Sequence, residues 1–287
     1  MGLHCGPMTL RSPLVDAAWL AQQLDDVVVA DVRWYLDGRS GRDAYDSGHI
    51  PGAVHVDVDT DLSAPPTRPG QGRHPLPTPD AFAATMGSLG IGDGDTVVAY
   101  DDAGGAMAAR LVWMLRVTGH DAALLDGGLA AWEGALESAP GNRPQAAFTA
   151  GSWPQAHLAG FDDVGRAEED DGPVVVDARS TTRYRGDPHP LDDRPGHVPG
   201  ARSLPFAGNV DPDTGRFLSP ERLRERFAAA GIAAGTDVVA YCGSGITACH
   251  DLLALEVAGL GPGRLFVASW SGWSADEDRP TATGEKP

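Results

Sequence analysis

The sequence predicts an α/β protein of two tandem domains, each a mainly parallel sheet flanked by helices, and three observations carry that expectation. The chain repeats itself in order: Val28-Val29-Ala30-Asp31-Val32-Arg33 is answered by Val175-Val176-Asp177-Ala178-Arg179, Gly48-His49-Ile50-Pro51-Gly52-Ala53 by Gly196-His197-Val198-Pro199-Gly200-Ala201, and Val97-Val98-Ala99-Tyr100-Asp101 by Val238-Val239-Ala240-Tyr241-Cys242. Three ordered matches at a nearly constant offset mean two copies of one domain. Short Val-rich runs alternate with amphipathic stretches, the pattern of a parallel sheet covered on both faces. Finally, 287 residues exceed one ordinary core and fit two domains of ~140 residues each.

In chain order, residues 8–138 form the expected N-terminal domain, 139–153 a linker, 154–280 the C-terminal domain and 281–287 a flexible tail. The linker is marked by Pro140, Gly141, Pro144, Gly151 and the adjacent Pro154, in a stretch of weak periodicity. In the first copy the runs from Val28 and Val97 read as strands, and 106–117 as the helix after the second. In the second copy 221–230 reads as a helix before the strand Val238 to Tyr241, and 248–258 as the helix after it. Asp126-Gly127-Gly128 with Trp132, and Ser269-Trp270-Ser271-Gly272-Trp273, read as matching strand-end turns whose tryptophans pack in the core.

Composition removes several functions. Forty acidic against 22 basic residues give a net charge of -18, which repels nucleic-acid phosphates and anionic membranes at long range. A small anionic substrate remains possible, because a pocket arginine acts at contact, inside the screening length. Three scattered cysteines, Cys5, Cys242 and Cys249, lack any Cys-x-x-Cys pair, so neither a disulfide framework nor a zinc site is expected. That pattern, with no export signal and no run of ~20 apolar residues, points to a soluble cytoplasmic protein. No nucleotide fingerprint or metal-ligand cluster is visible, so no cofactor is expected.

The chemistry concentrates at Cys242-Gly243-Ser244-Gly245-Ile246-Thr247, a glycine-containing loop between a strand and a helix. Such loops turn backbone N–H groups inward and, with the positive end of the helix dipole, stabilise negative charge at their centre. A thiol with an ordinary pKa of about 8.5 is mostly protonated at pH 7, and this setting is expected to favour the nucleophilic thiolate. The repeat supplies an internal control: the first copy carries Asp101 where the second has Cys242. Only the second copy should be catalytic, with the first as scaffold and one wall of an interdomain cleft.

Together, the duplicated Gly-His-x-Pro-Gly-Ala element, the Cys242 loop and the Asp101 replacement resemble the two-domain rhodanese-type sulfurtransferases, over nearly the whole length. The resemblance implies two tandem rhodanese-like domains and a reaction in which sulfur moves from a donor to Cys242 as a persulfide, then to a thiol acceptor such as thioredoxin or a small thiol, or to cyanide. The loop is similar to that of mercaptopyruvate sulfurtransferases, which usually have Val where Ile246 stands. Thiosulfate sulfurtransferases of the family carry basic residues after the cysteine, where this chain has Gly243 and Ser244. The resemblance therefore implies 3-mercaptopyruvate as donor, with thiosulfate as the alternative. It places Arg183 on the donor carboxylate, a role that suits a guanidinium fork, with Gly243, Gly245, Ile246 and Thr247 around the donor. A second substrate arginine common in the family falls at Asp192 here, and Arg185 and Arg194 are the nearby candidates to replace it. It also implies an acid/base relay of Ser244 with His74 and Asp59 from the first copy.

His49 and His197 recur in both copies and so read as structural, and Cys249 reads as a packing residue. Two rival functions fit the residues less well. A cysteine phosphatase needs an arginine six positions after the cysteine to hold phosphate, and that position is Ala248. A non-catalytic binding module would have no use for the loop cysteine.

Overall fold

The computed structural model describes residues 10, 12–141, 143–149 and 151–287, so Cys5 lies outside the described residues. The chain divides into two compact units, one of residues 1–61 and 77–153, the other of 62–76 and 154–287. The first unit thus takes up the stretch read as a linker, while the second includes a short segment, Leu62–Leu76, drawn from the first repeat.

In the first unit the order is β1 (Leu14–Val15), α1 (Ala17–Gln23), β2 (Val28–Asp31), α2 (Gly41–Ser47), β3 (Val54–His55), α3 (Pro79–Ser88), β4 (Thr96–Tyr100), α4 (Ala108–Val117) and β5 (Asp121–Leu125). The five strands are all parallel, in the order β1-β5-β4-β2-β3. The second unit runs α5 (Phe161–Val164), β6 (Val174–Asp177), α6 (Thr181–Arg185), β7 (Arg202–Ser203), α7 (Pro220–Ala229), β8 (Val238–Tyr241), α8 (Ala248–Val257), β9 (Arg264–Leu265) and α9 (Ser269–Trp273). Its four parallel strands lie in the order β7-β6-β8-β9. The fold class is therefore the expected one, two α/β units built on parallel sheets flanked by helices.

Local chemistry explains the elements. Every residue of β2, β4 and β8 is buried, as β-branched runs covered on both faces require. Helix starts carry side-chain caps: Thr78 and Ser219, each followed by proline, cap α3 and α7, and Asp16, Ser40 and Ser180 cap α1, α2 and α6. No helix among the described residues is long and apolar enough to cross a membrane.

The repeat is visible in polar detail. Arg33 pairs with Asp31 at 2.6 Å and donates to Gly48 O, and Arg179 does the same with Asp177 at 2.6 Å and Gly196 O. The Tyr100 hydroxyl donates to Asp31 and accepts from the Ile50 amide; the Tyr241 hydroxyl likewise accepts from Val198. His49 stacks on Tyr45 and His197 on Tyr184, each with Nδ1 2.7 Å from that tyrosine's carbonyl. Both histidines are fully buried in matching settings, which gives them the same structural task. Residues at the C-terminus take part too: Ala282 exchanges backbone hydrogen bonds with His197, and Gly284 donates to Arg185 O.

Two strand-end turns differ from expectation. The segment from Ser269 is the helix α9, and Gly128–Ala131 is a 3₁₀ turn. Trp270 and Trp273 are buried in the core of the second unit with Phe266, Tyr241 and Val239. Burial of these two large rings on one side of a short segment favours a helical turn over an open one.

On α8, His250 and Asp251 are fully buried. Asn209 donates to Asp251 Oδ1 at 2.6 Å and accepts from Arg226 Nε at 3.0 Å, and Phe217 stacks on His250. Asp251 Oδ2 has no hydrogen-bond partner. Burial pushes the Asp251 carboxyl up to about 7, against the opposing pull of Asn209 and Arg226.

Candidate active site

Strand β8 ends at Tyr241 and delivers Cys242, 2% exposed, to the loop that opens α8. The Gly245 amide donates to Cys242 Sγ at 3.1 Å. Gly245 has φ +86°, a left-handed conformation that costs glycine nothing and aims this amide inward. Ser244 and Ile246 are buried beside it, and Thr247 stands at the N-cap position of α8. Cys249, fully buried in the first turn of α8, directs its thiol to Gly245 O at 3.5 Å. Cys242 and Cys249 are both free thiols.

The start of α9 fixes the loop from behind. Cys242 N–H donates to Ser269 Oγ at 3.2 Å, Trp270 N–H to Cys242 O at 2.9 Å, and Ser271 N–H to Gly243 O at 3.0 Å. Ser269 has φ +52°, unusual for a residue with a side chain, and the three bonds hold it there. Ser269 was invisible as a site residue in the sequence, because its part depends on an unusual backbone angle rather than a motif.

The first unit shows what this loop geometry binds. Asp101 occupies the position of Cys242, and its buried carboxylate accepts four backbone N–H bonds, from Ala103, Gly105, Met107 and Ala108, at 2.7–2.9 Å. Burial raises the Asp101 pKa from its ordinary value while the four amides pull it down. The loop is thus an anion cradle, filled in one repeat by the chain's own carboxylate.

Arginines crowd the cradle of the second unit. A Cβ added to Gly243 would lie 2.9 Å from Nη2 of both Arg183 and Arg73. Glycine at 243 lets both guanidinium groups approach the loop backbone, and a side chain there would push these flexible ends aside. Arg183, on α6, is gripped by Asp192 through two bonds, Nε to Oδ2 at 2.7 Å and Nη2 to Oδ1 at 2.6 Å. Asp192 also meets Arg179 at 3.3 Å. Burial acts to raise the Asp192 carboxyl, but the Arg183 bonds and the Arg179 charge outweigh it and hold it below its ordinary value.

The other expected residues are placed as follows. Arg185 pairs with Asp187 and Glu285 at 3.5 Å each, 37% exposed. Arg194 donates to the carbonyls of Asp276 and Arg279 after α9. His74 lies on the segment Leu62–Leu76, which packs with the second unit, directly after Arg73. Asp59 belongs to the first unit, where the Trp34 indole donates to it at 2.8 Å. No group of three or more metal-ligating side chains converges among the described residues.

The chain is similar to known proteins over most of its length. The rhodanese-like domain model matches residues 16–135 and again 161–276. A Pseudomonas aeruginosa protein named "Probable 3-mercaptopyruvate sulfurtransferase" is 42% identical over 280 residues, covering 95% of this chain and 98% of its own. "Thiosulfate/3-mercaptopyruvate sulfurtransferase 2" of Arabidopsis thaliana is 33% identical, covering 96% and 87%. The solved 3-mercaptopyruvate sulfurtransferase from Leishmania major superposes with a TM-score of 0.84 at 31% identity, over 94% of this chain and 76% of that one.

Proposed function

This chain belongs to the rhodanese-like sulfurtransferases, and from that premise we propose that it takes sulfur from 3-mercaptopyruvate onto Cys242 and passes it to a thiol or to cyanide. In the first half-reaction the Cys242 thiolate attacks the donor sulfur. The new S–S bond forms as the donor C–S bond breaks, and its electron pair passes to carbon as the enolate of pyruvate. The donor thiol proton ends on that carbon, giving pyruvate and a Cys242 persulfide. In the second, a thiol such as thioredoxin or a small thiol attacks the outer sulfur and leaves as a persulfide, or cyanide leaves as thiocyanate. Cys242 returns to its thiol.

What supports this reading is the cradle: a Gly245 amide on the buried sulfur, with guanidinium groups drawn up against Gly243. The amide stabilises the anion before attack and as the persulfide leaves. Arg183 positions the donor carboxylate, Gly243, Gly245, Ile246 and Thr247 frame the donor, and Arg185 at the surface is the residue of this set with the least direct part. Ser244 and His74 move the proton between donor thiol and carbon, and Asp59 serves as the acid that the family pattern joins to His74. A reducing compartment such as the cytoplasm suits a reaction that needs Cys242 as a free thiol.

Mass spectrometry after incubation with 3-mercaptopyruvate tests the proposal. A gain of one sulfur atom on Cys242, absent in Cys242→Ser, is expected; no gain from any donor refutes it. Thiosulfate is the second reading, favoured by the two-donor name of the Arabidopsis relative. A kcat/KM comparison of the two donors decides between them.

A further inference from the structure

We propose that Arg73, contributed by the segment Leu62–Leu76, is the second cation of the donor site and receives the donor's carboxylate beside Arg183. The proposal rests on the sulfurtransferase reading and assigns it a residue in place of the arginine that position 192 lacks.

Charge balance at the site leads to Arg73. Of the three arginines gathered there, Arg179 is paired with Asp177 at 2.6 Å and Arg183 with Asp192 at 2.6 Å. Arg73 forms no ion pair with a carboxylate among the described residues; its Nη1 donates to the neutral Leu191 carbonyl at 2.9 Å. Its Nη2 is turned to Gly243, next to the Nη2 of Arg183. A half-buried cation with no carboxylate in contact is costly, and the cost falls when an anion reaches hydrogen-bonding distance. Burial, and after it the charge of Arg183, press the Arg73 pKa down from its ordinary value, while Cys242, Asp192 and Asp193 act the other way. Burial and then Arg183 also hold the His189 pKa low, which favours its neutral form, so the charged groups facing Arg73 are Arg183, Asp192, Asp193 and Cys242.

The backbone holds Arg73 in register with the loop. Its amide donates to Ser271 Oγ at 3.0 Å, and the Ser271 amide donates to Gly243 O at 3.0 Å, so one serine links the arginine to the residue after the nucleophile. Gly72 precedes it at φ +79°, with a virtual Cβ only 2.3 Å from Ala268 O, which allows the segment to lie against the start of α9. A cavity of about 630 Å³ lined by Arg68, Arg73, Leu191, Asp193 and Ser271 opens on the same residue. Of the two guanidinium groups facing one loop, Arg183 is clasped by Asp192, which leaves Arg73 as the one that makes no carboxylate hydrogen bond among the described residues. Such a guanidinium suits the carboxylate of a mercaptoacid.

The test separates charge recognition from chemistry. For Arg73→Ala, KM for 3-mercaptopyruvate should rise about 10- to 100-fold, the worth of one charge-assisted hydrogen bond, with kcat changed far less. Arg73→Lys should recover part of the loss. Independently of sulfur transfer, Cys242 alkylation by iodoacetate relative to neutral iodoacetamide should fall several-fold in Arg73→Ala. Unchanged KM and an unchanged alkylation ratio overturn the proposal, as does a loss of kcat at constant KM. If Arg73→Ala fails to fold, Arg73→Gln and Arg73→Lys carry the same comparison. If the wild-type protein takes up no sulfur from any donor, the sulfurtransferase reading fails, yet the alkylation ratio still decides whether Arg73 attracts a carboxylate.

Discussion

Replacing Asp251 by Asn should change how the stability of the protein depends on pH. The carboxyl is fully buried on α8, has one oxygen bonded to Asn209 and the other without a partner, and is pushed up by burial from its ordinary 3.8 to about 7. The native state therefore binds this proton more tightly than the unfolded chain does. For an acid raised in this way, the stabilisation is fully present below the unfolded value and is lost as pH rises through the native one. The whole span is worth about 4 kcal/mol, of which about 2–3 kcal/mol falls between pH 5 and pH 8. Asparagine keeps an oxygen for Asn209 and cannot ionise, so this component disappears. Urea unfolding at pH 5 and pH 8 measures it: relative to Asp251→Asn, the wild type should lose about 2–3 kcal/mol on going to the higher pH. Parallel stabilities of the two proteins across that range would show that Asp251 stays ionised, and the account of the buried cluster with Asn209, Arg226 and His250 would be wrong.

Two further outcomes follow from the paired loops. Asp101→Ala strips the acceptor from four buried amides and should cost roughly 3–5 kcal/mol, with Asp101→Asn less severe because one acceptor oxygen remains; thermal or urea denaturation ranks them. Gly245→Ala places a side chain at φ +86°, so the loop should relax away from that angle, costing about 1–2 kcal/mol and drawing the amide off Cys242. Slower iodoacetamide alkylation of Cys242 would report the loss, and wild-type reactivity would count against the amide's part.

The architecture was legible because its signals are local and doubled. Val-rich runs and the repeated Gly-His-x-Pro-Gly-Ala element each state their structure within a few residues. The candidate nucleophile stood out for the same reason, being carried by one contiguous loop. Arg73 was not, because its neighbourhood with Gly243 joins positions 170 residues apart in the sequence and depends on the segment Leu62–Leu76 packing with the second unit. The pairing of Arg183 with Asp192 was hidden similarly: the sequence showed an acid where a base was sought, but not that the acid would clasp the neighbouring arginine. Ser269 was obscured by its positive φ, which no propensity favours.

The carboxylate seated in the first loop also sets a stoichiometry. That repeat is permanently occupied by its own side chain, a guest that no reaction releases, so duplication has not doubled the carrying capacity. Under the proposed reaction a fully charged polypeptide would hold one sulfane atom, on Cys242, and each turnover would empty it before the next donor is engaged.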